Sequence, residues 1–327
     1  MDEQQQGWGR PAFLEFNAEQ LEGRLLLDGN VTARVLGGNL VVTGDEDANG
    51  VHITQVGGGQ YMVTGIDCGN GATTINGEAS ALLTGVTRSF RVTLRGGADC
   101  LHMGNGATSP EGNGGLYVPD DLFIRTNAGS DEVRLDDIHV EDMTKIWLET
   151  GNDGLAISSG EFDRDLFVFG QNGVDQMEIV DVTVEGRLYV KSHRGDDVIG
   201  LSEVYVSNQA DVNTGDGDDE VVIGPDLDCG DCPGVGVQAR NLFIQTGNGE
   251  DELELRDSDV SNRLLVLMGN GNDRVTVRDN SANQAWLNGN APFQLVNGEG
   301  DAINADVQFT NTFNQLKLFD SFEIFVV

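Results

Sequence analysis

Apolar residues recur along this chain in pairs two residues apart, and the pairs stand at fixed distances from a repeated aspartate. From Asp131, Leu122 and Ile124 lie nine and seven residues before, Val133 and Leu135 two and four after, and Ile138 and Val140 seven and nine after. The same offsets from Asp175 reach Leu166, Val168, Met177, Ile179, Val182 and Val184. A spacing of two is the strand period, and β-branched residues are frequent at these positions, while no window sustains a helical stripe. Each unit therefore reads as three short strands and three turns.

The reference aspartates are Asp99, Asp131, Asp153, Asp175, Asp197, Asp219, Asp251 and Asp273, with successive differences of 32, 22, 22, 22, 22, 32 and 22. A period of 22 residues with two equal insertions of ten is a solenoid signature. The expected fold is all-β: a right-handed parallel β-helix of roughly eleven coils, a rod about 50 Å long at the usual strand spacing, with N- and C-terminal caps. The expected boundaries are a flexible tail over 1–12, an N-terminal cap over 13–38, the β-helix over 39–283, and a C-terminal coil and cap over 284–327. Leu40, Val42, Val51 and Ile53 already keep the later spacing, with Asn49 in the aspartate's place, and residues 61–86 read as an irregular coil or two. Phe293, Phe309, Phe313, Phe319, Phe322 and Phe325 crowd the end, where they read as a plug for the core or an oligomerisation surface.

Composition supports this picture and limits the partners. The 45 glycines supply turns, and only six prolines interrupt a backbone that must donate to the next coil. With 19 basic against 54 acidic residues the formal charge is −35, which argues against nucleic acid as a partner and for cations or basic surfaces. No apolar run approaches the ~20 residues of a membrane span. Residues 1–6 lack the regions of a signal peptide, so the expectation is a secreted or cell-surface protein whose export signal is not in this chain.

The turns carry the clearest chemistry. Thr214–Val222, Thr246–Glu254 and Met268–Thr276 read Gly-x-Gly-x-Asp-x-(Val/Leu). They resemble the RTX calcium-binding nonapeptide at every specified position but its first Gly. That Gly is replaced here by Thr126, Leu148, Ser192, Thr214, Thr246 and Met268, and kept at Gly170. The resemblance implies calcium held between coils by Asp131, Asp153, Asp175, Asp197, Asp219, Asp251 and Asp273 together with turn carbonyls. More broadly, the chain resembles the Gly/Asp-rich repeat regions of large secreted bacterial surface proteins, which implies a structural or adhesive role.

Stacked aspartates about 4.8 Å apart repel by ~1 kcal/mol in water and ~3–4 kcal/mol at an effective dielectric of 20. Two readings offset that: a bound calcium ion, or hydrogen bonds from N–H groups of each aspartate's own turn. A second acidic column, Asp137, Asp181, Glu203, Asp257 and Asp279, reads as a solvated turn. Asp226, Asp228 and Asp231 crowd one loop and form a separate calcium candidate. The same loop holds Cys229 and Cys232, while Cys68 and Cys100 could meet across neighbouring coils; four cysteines without a zinc pattern read as disulfides.

One strand carries aromatic residues where outward side chains are expected: Phe123, Trp147, Phe167, Tyr189 and Phe243. Such a stripe stacks sugar rings, packs on a surface-protein partner, or is covered by the chain itself. The insertions at 104–115 and 226–235 stand where they could wall a groove. Catalysis is the competing class, because many parallel β-helices cleave polysaccharides. Here Lys145, Lys191 and Lys317 are the only lysines, His52, His102, His139 and His193 are scattered, and no acid–base pair stands out from the repeats. The expectation is a non-enzymatic structural or adhesive module with calcium in its turns; the alternative is a polysaccharide-binding or polysaccharide-cleaving domain.

Overall fold

The computed structural model describes residues 29–69, 71–104, 115–225, 234–289, 294–295 and 312–319. Among them every regular element is a strand. No helix is long and apolar enough to cross a membrane, which says nothing of a β-barrel.

The alternation read from the sequence becomes burial. In Leu122–Ala128 the side chains of Leu122, Ile124 and Thr126 point into the core, and Phe123 and Arg125 point out. Three parallel ladders result. The first stacks Phe90–Gly96, Leu122–Ala128, Thr144–Thr150, Leu166–Asn172 and Arg187–Arg194, and continues through the later repeats. Its register places Phe90 beside Leu122 and Leu122 beside Thr144. The second joins Cys100–Met103 to the first half of Glu132–Val140 and on to Gly154–Phe162, with Leu101, Val133 and Leu155 in line. The third aligns Leu116, Ile138 and Gly160. The whole is a solenoid-like sheet wrapped around one column of Leu, Ile and Val.

Both insertions of ten fall between the second and third ladders, between Met103 and Leu116 and between Ile223 and Val237. Placed at a corner, they leave the ladders in register on either side. The second acidic column has a backbone cause. Asp137, Asp181, Glu203, Asp257 and Asp279, with Ser159, all lie at φ between 50° and 55°. Of the side chains other than glycine's, Asp and Asn enter this left-handed region with least difficulty.

At the N-terminal end the pairing becomes mixed, with Asn30–Leu36 parallel to Thr74–Ile75 and antiparallel to Asn39–Thr43. Asn39–Thr43 and Gly50–Gly57 still pair in parallel with Phe90–Gly96 and Cys100–Met103. Their other edges are covered by antiparallel strands: Asn30–Leu36 on Asn39–Thr43, and Gln60–Gly65 on Gly50–Gly57, with Ser80–Thr84 on Gln60–Gly65. The stretch 61–86, expected as an irregular coil, is thus largely a hairpin meander that closes the stack. An antiparallel return needs only a tight turn, Gly37 and Gly38 at φ 58° and 85° before Asn39–Thr43 and Gly59 at φ 66° before Gln60–Gly65, whereas another parallel strand needs a full circuit. It satisfies an edge that would otherwise present unpaired backbone. Tyr61 locks it in place: its ring is buried edge-on to Phe90 at 4.8 Å, and its hydroxyl donates to the Tyr117 carbonyl at 2.6 Å.

A disulfide joins Cys68 to Cys100 with Cα atoms 6.4 Å apart, tying this meander to the second ladder. At the other end, parallel pairing runs past Asn283, where the sequence period fades: Thr312–Phe319 pairs with Ser281–Gly289. Most of the expected N-terminal cap and much of the C-terminal one lie outside the described residues.

Candidate functional site

Two features of the described residues carry chemistry: a buried column of aspartates and an aromatic outer face.

Asp99, Asp131, Asp153, Asp175, Asp197, Asp219, Asp251 and Asp273 are each no more than 3 % exposed. They face the core. The parity of the second ladder already holds this signal, because Asp131, Val133 and Leu135 alternate together and all three are buried. In each carboxylate Oδ1 accepts the backbone N–H of the corresponding residue one repeat earlier. Asp131 N–H donates to Asp153 at 2.8 Å, Asp153 to Asp175 at 3.0 Å, Asp175 to Asp197 at 2.8 Å and Asp197 to Asp219 at 2.9 Å. The ladder begins at Asn49, whose N–H reaches Asp99 at 2.7 Å, and ends with Asp251 donating to Asp273 at 3.1 Å. The hydrogen bonds expected within each turn therefore run between repeats, and an amide dipole stands between successive carboxylates.

The second oxygen, Oδ2, is buried without a hydrogen-bond partner in all eight. Burial is the main force on these groups. It pushes Asp99, Asp153 and Asp175 up to about 7 against the lowering effect of the amide hydrogen bond, and the charge of a neighbouring aspartate adds to the rise. Asp219 rises to about 6, and Asp131, Asp197, Asp251 and Asp273 are raised as well, in each case first by burial.

The residue five positions earlier, the place of the missing RTX glycine, varies along the column. Thr126, Ser192, Thr214 and Thr246 set a hydroxyl beside Asp131, Asp197, Asp219 and Asp251 and oppose the rise. Leu94, Leu148 and Gly170 give Asp99, Asp153 and Asp175 no such help. These hydroxyls donate along the axis, Thr126 to the Leu148 carbonyl and Thr214 to the Thr246 carbonyl, both at 2.8 Å.

The turn before each aspartate is equally tight. Gly129, Gly151, Gly173, Gly195, Gly217, Gly249 and Gly271 lie at φ from 131° to 152°, and a Cβ on any of them would strike the carbonyl oxygen of the glycine one repeat earlier. The Gly-x-Asp spacing of the motif thus has a steric origin.

The aromatic residues of the first ladder divide into groups. Trp147 stacks with Phe169 at 6.1 Å and 16°, Phe169 with Phe167 at 6.4 Å and 2°, and Tyr189 tilts against Phe169 at 5.8 Å. Phe169 is thus central to the cluster, between Trp147 and Tyr189. Cations lie over the rings: Arg125 over Trp147 at 5.0 Å, Lys145 over Phe167 at 5.4 Å and Arg91 over Phe123 at 5.3 Å. Phe123 and Phe243 make no ring contact with another aromatic side chain among the described residues; Asp211 separates Phe243 from Tyr189 in the register.

Beside the cluster opens a hollow of about 470 Å³, lined by Gln171, Asn172, Lys191, His193, Arg194, Asn213, Asp216, Gln245 and Asn248 and floored by Gly215 and Gly247. Its cause is in the sequence. The column occupied by Asn127, Glu149, Gln171 and His193 changes to Gly at 215, 247 and 269, so the wall falls away. Burial, with the Lys191 charge second, holds His193 below its ordinary value, so it is a neutral hydrogen-bonding group at pH 7.

Two groups set three ligand atoms within 4.8 Å of one another: His139 with Glu161 and Asp163, and Asp120 with Asp121 and Asp142. Neither set is contiguous in sequence, because the stacking of repeats assembles it. Asp226, Asp228, Asp231, Cys229 and Cys232 lie outside the described residues. No family model, curated protein or solved structure matches this chain.

Proposed function

We propose that this protein is a right-handed parallel β-helix rod of about eleven coils that works outside the cell as a non-enzymatic adhesive module, holding a polysaccharide against its aromatic face. The observation that carries the reading is the half-exposed stack of Trp147, Phe169, Phe167 and Tyr189 beside a polar hollow of about 470 Å³. Flat rings next to amide and hydroxyl-binding groups suit sugar rings, whose faces are apolar and whose edges are polar. The Cys68–Cys100 disulfide supports an oxidising compartment.

The test is a glycan array followed by titration of the hits, read by tryptophan fluorescence and calorimetry, with reducing-sugar release measured alongside. Trp147→Ala and Phe169→Ala are expected to weaken binding at least about tenfold while leaving the melting curve in place. An array without hits, or hits indifferent to both substitutions, removes the reading. Release of reducing sugar moves it to a polysaccharide-cleaving enzyme.

Calcium at the aspartate column is the second reading, supported by the unpartnered Oδ2 in every repeat. It meets a geometric difficulty. Calcium takes six to eight oxygens, yet Oδ1 is already engaged, and even a Cβ on Gly170 would collide with Oδ2 of Asp175. Melting with chelator, calcium and magnesium separates the readings. Calcium binding only the folded chain at 100 times its Kd adds about 2.7 kcal/mol, and a calcium-specific rise supports the ion. Identical midpoints leave the column to protons.

A further inference from the structure

The aromatic face differs in charge from the rest of the molecule. The chain has 19 basic and 54 acidic residues. Yet the outward positions of the first ladder from Phe90 to Asp216 hold Arg91, Arg95, Arg125, Lys145, Arg187, Lys191 and Arg194 against Glu149, Asp211 and Asp216. The second ladder faces outward with Glu132, Asp136, Glu178, Glu220, Glu252 and Glu254 against Arg134, Arg274 and Arg278. A face on which basic outnumber acidic residues, in a chain with nearly three acids per base, concentrates positive potential where the rings stand.

Within the hollow this becomes local. Lys191 and Arg194 come from one strand and border the space left by Gly215 and Gly247. Among the described residues Lys191 forms no ion pair. Arg194 has only a long contact with Asp216, 3.8 Å between two well-exposed side chains, which water and salt weaken. Gln171, Asn213 and Gln245 add amides that bind hydroxyls. Each repeat advances about 4.8 Å along the axis, so a sugar chain lying along the rod meets a new set of rings and cations at every step.

We infer that the occupant of this face is an acidic polysaccharide, its carboxylate or sulfate groups held by Lys191 and Arg194 and its rings stacked on Phe169 and Trp147. This rests on the polysaccharide reading above and adds the charge of the ligand. The cations are interleaved with rings and amides, which suits charges spaced along a sugar chain. A nucleic acid is also a polyanion, and an oligonucleotide is therefore one arm of the test.

The experiment titrates the full chain with an oligogalacturonate, its methyl ester, a sulfated oligosaccharide and a single-stranded oligonucleotide, read by tryptophan fluorescence. The ester keeps the rings and removes the charge. The expected result is at least about tenfold tighter binding of the acid than of the ester, lost as salt is raised. Lys191→Gln and Arg194→Gln should each narrow that gap by weakening binding of the acid more than binding of the ester. Tighter binding of the sulfated chain than of the uronate supports the inference with sulfate as the group held. Equal affinity for acid and ester, or an unchanged gap in both variants, overturns the inference and leaves the polysaccharide reading standing. Binding of the oligonucleotide alone overturns both.

Discussion

Asp175→Asn isolates what the buried column costs the protein at neutral pH. Asp175 is 1 % exposed, its Oδ1 accepts the Asp153 N–H at 3.0 Å, and its Oδ2 has no partner. Asparagine keeps the acceptor and removes the charge; Asn49 already stands in this column at the first repeat. Burial raises the carboxyl from an ordinary 3.8 to about 7, so folding is favoured by protonation. That contribution is complete below the unfolded value near 3.8 and disappears as the pH rises through about 7. At 1.36 kcal/mol per pH unit the ceiling is about 4 kcal/mol, reduced because neighbouring carboxyls titrate together.

Against this, the new amide brings N–H groups that need acceptors, at a cost of about 1–3 kcal/mol if they find none. The expected outcome is a crossing. At pH 5 the variant melts at or below the wild type; at pH 8 it melts a few degrees above it, and its midpoint falls less between the two. Far-ultraviolet circular dichroism melts across this range, with chelator present, provide the check. A variant that is less stable than wild type by the same amount at every pH refutes the reasoning, since the ionised carboxylate would then be as well accommodated as the neutral one.

Gly173→Ala should destabilise by well over 1 kcal/mol in a denaturant titration, because φ is 137° and the new Cβ meets the Gly151 carbonyl. Gly154→Ala is its control: the nearest atom to that Cβ is 3.9 Å away, and stability should change little or rise slightly. Cys68→Ser opens a cross-link between residues 32 apart and should cost roughly 3–4 kcal/mol. That loss should show first as faster amide exchange in Gln60–Gly65 and Ser80–Thr84, with wild type in reductant behaving alike.

The sequence by itself determined the strands, their parity and the columns. A fixed period places Asp131, Asp153 and Asp175 in one line, and alternation by two separates Leu122 and Ile124 from Phe123. Parity also held the inward direction of the aspartates, through Val133 and Leu135, although the polarity of Asp suggests a solvated turn. Only the tertiary structure decided what each column meets. The partner of Asp153 Oδ1 is an amide 22 residues earlier, and a period does not specify which atoms of adjoining repeats come into contact. The N-terminal meander was illegible for a related reason: an edge is closed by whichever backbone reaches it, and Gln60–Gly65 does so antiparallel, outside the repeat. The aromatic residues were visible singly, but their grouping depends on the columns beside them. Trp147, Phe169 and Tyr189 meet because alternate outward positions of stacked strands are neighbours, whereas Asp211 interrupts the line before Phe243. Charge behaves likewise. A total of −35 is a property of composition, and the cationic face exists because folding sorts side chains by the direction they point, which composition does not record.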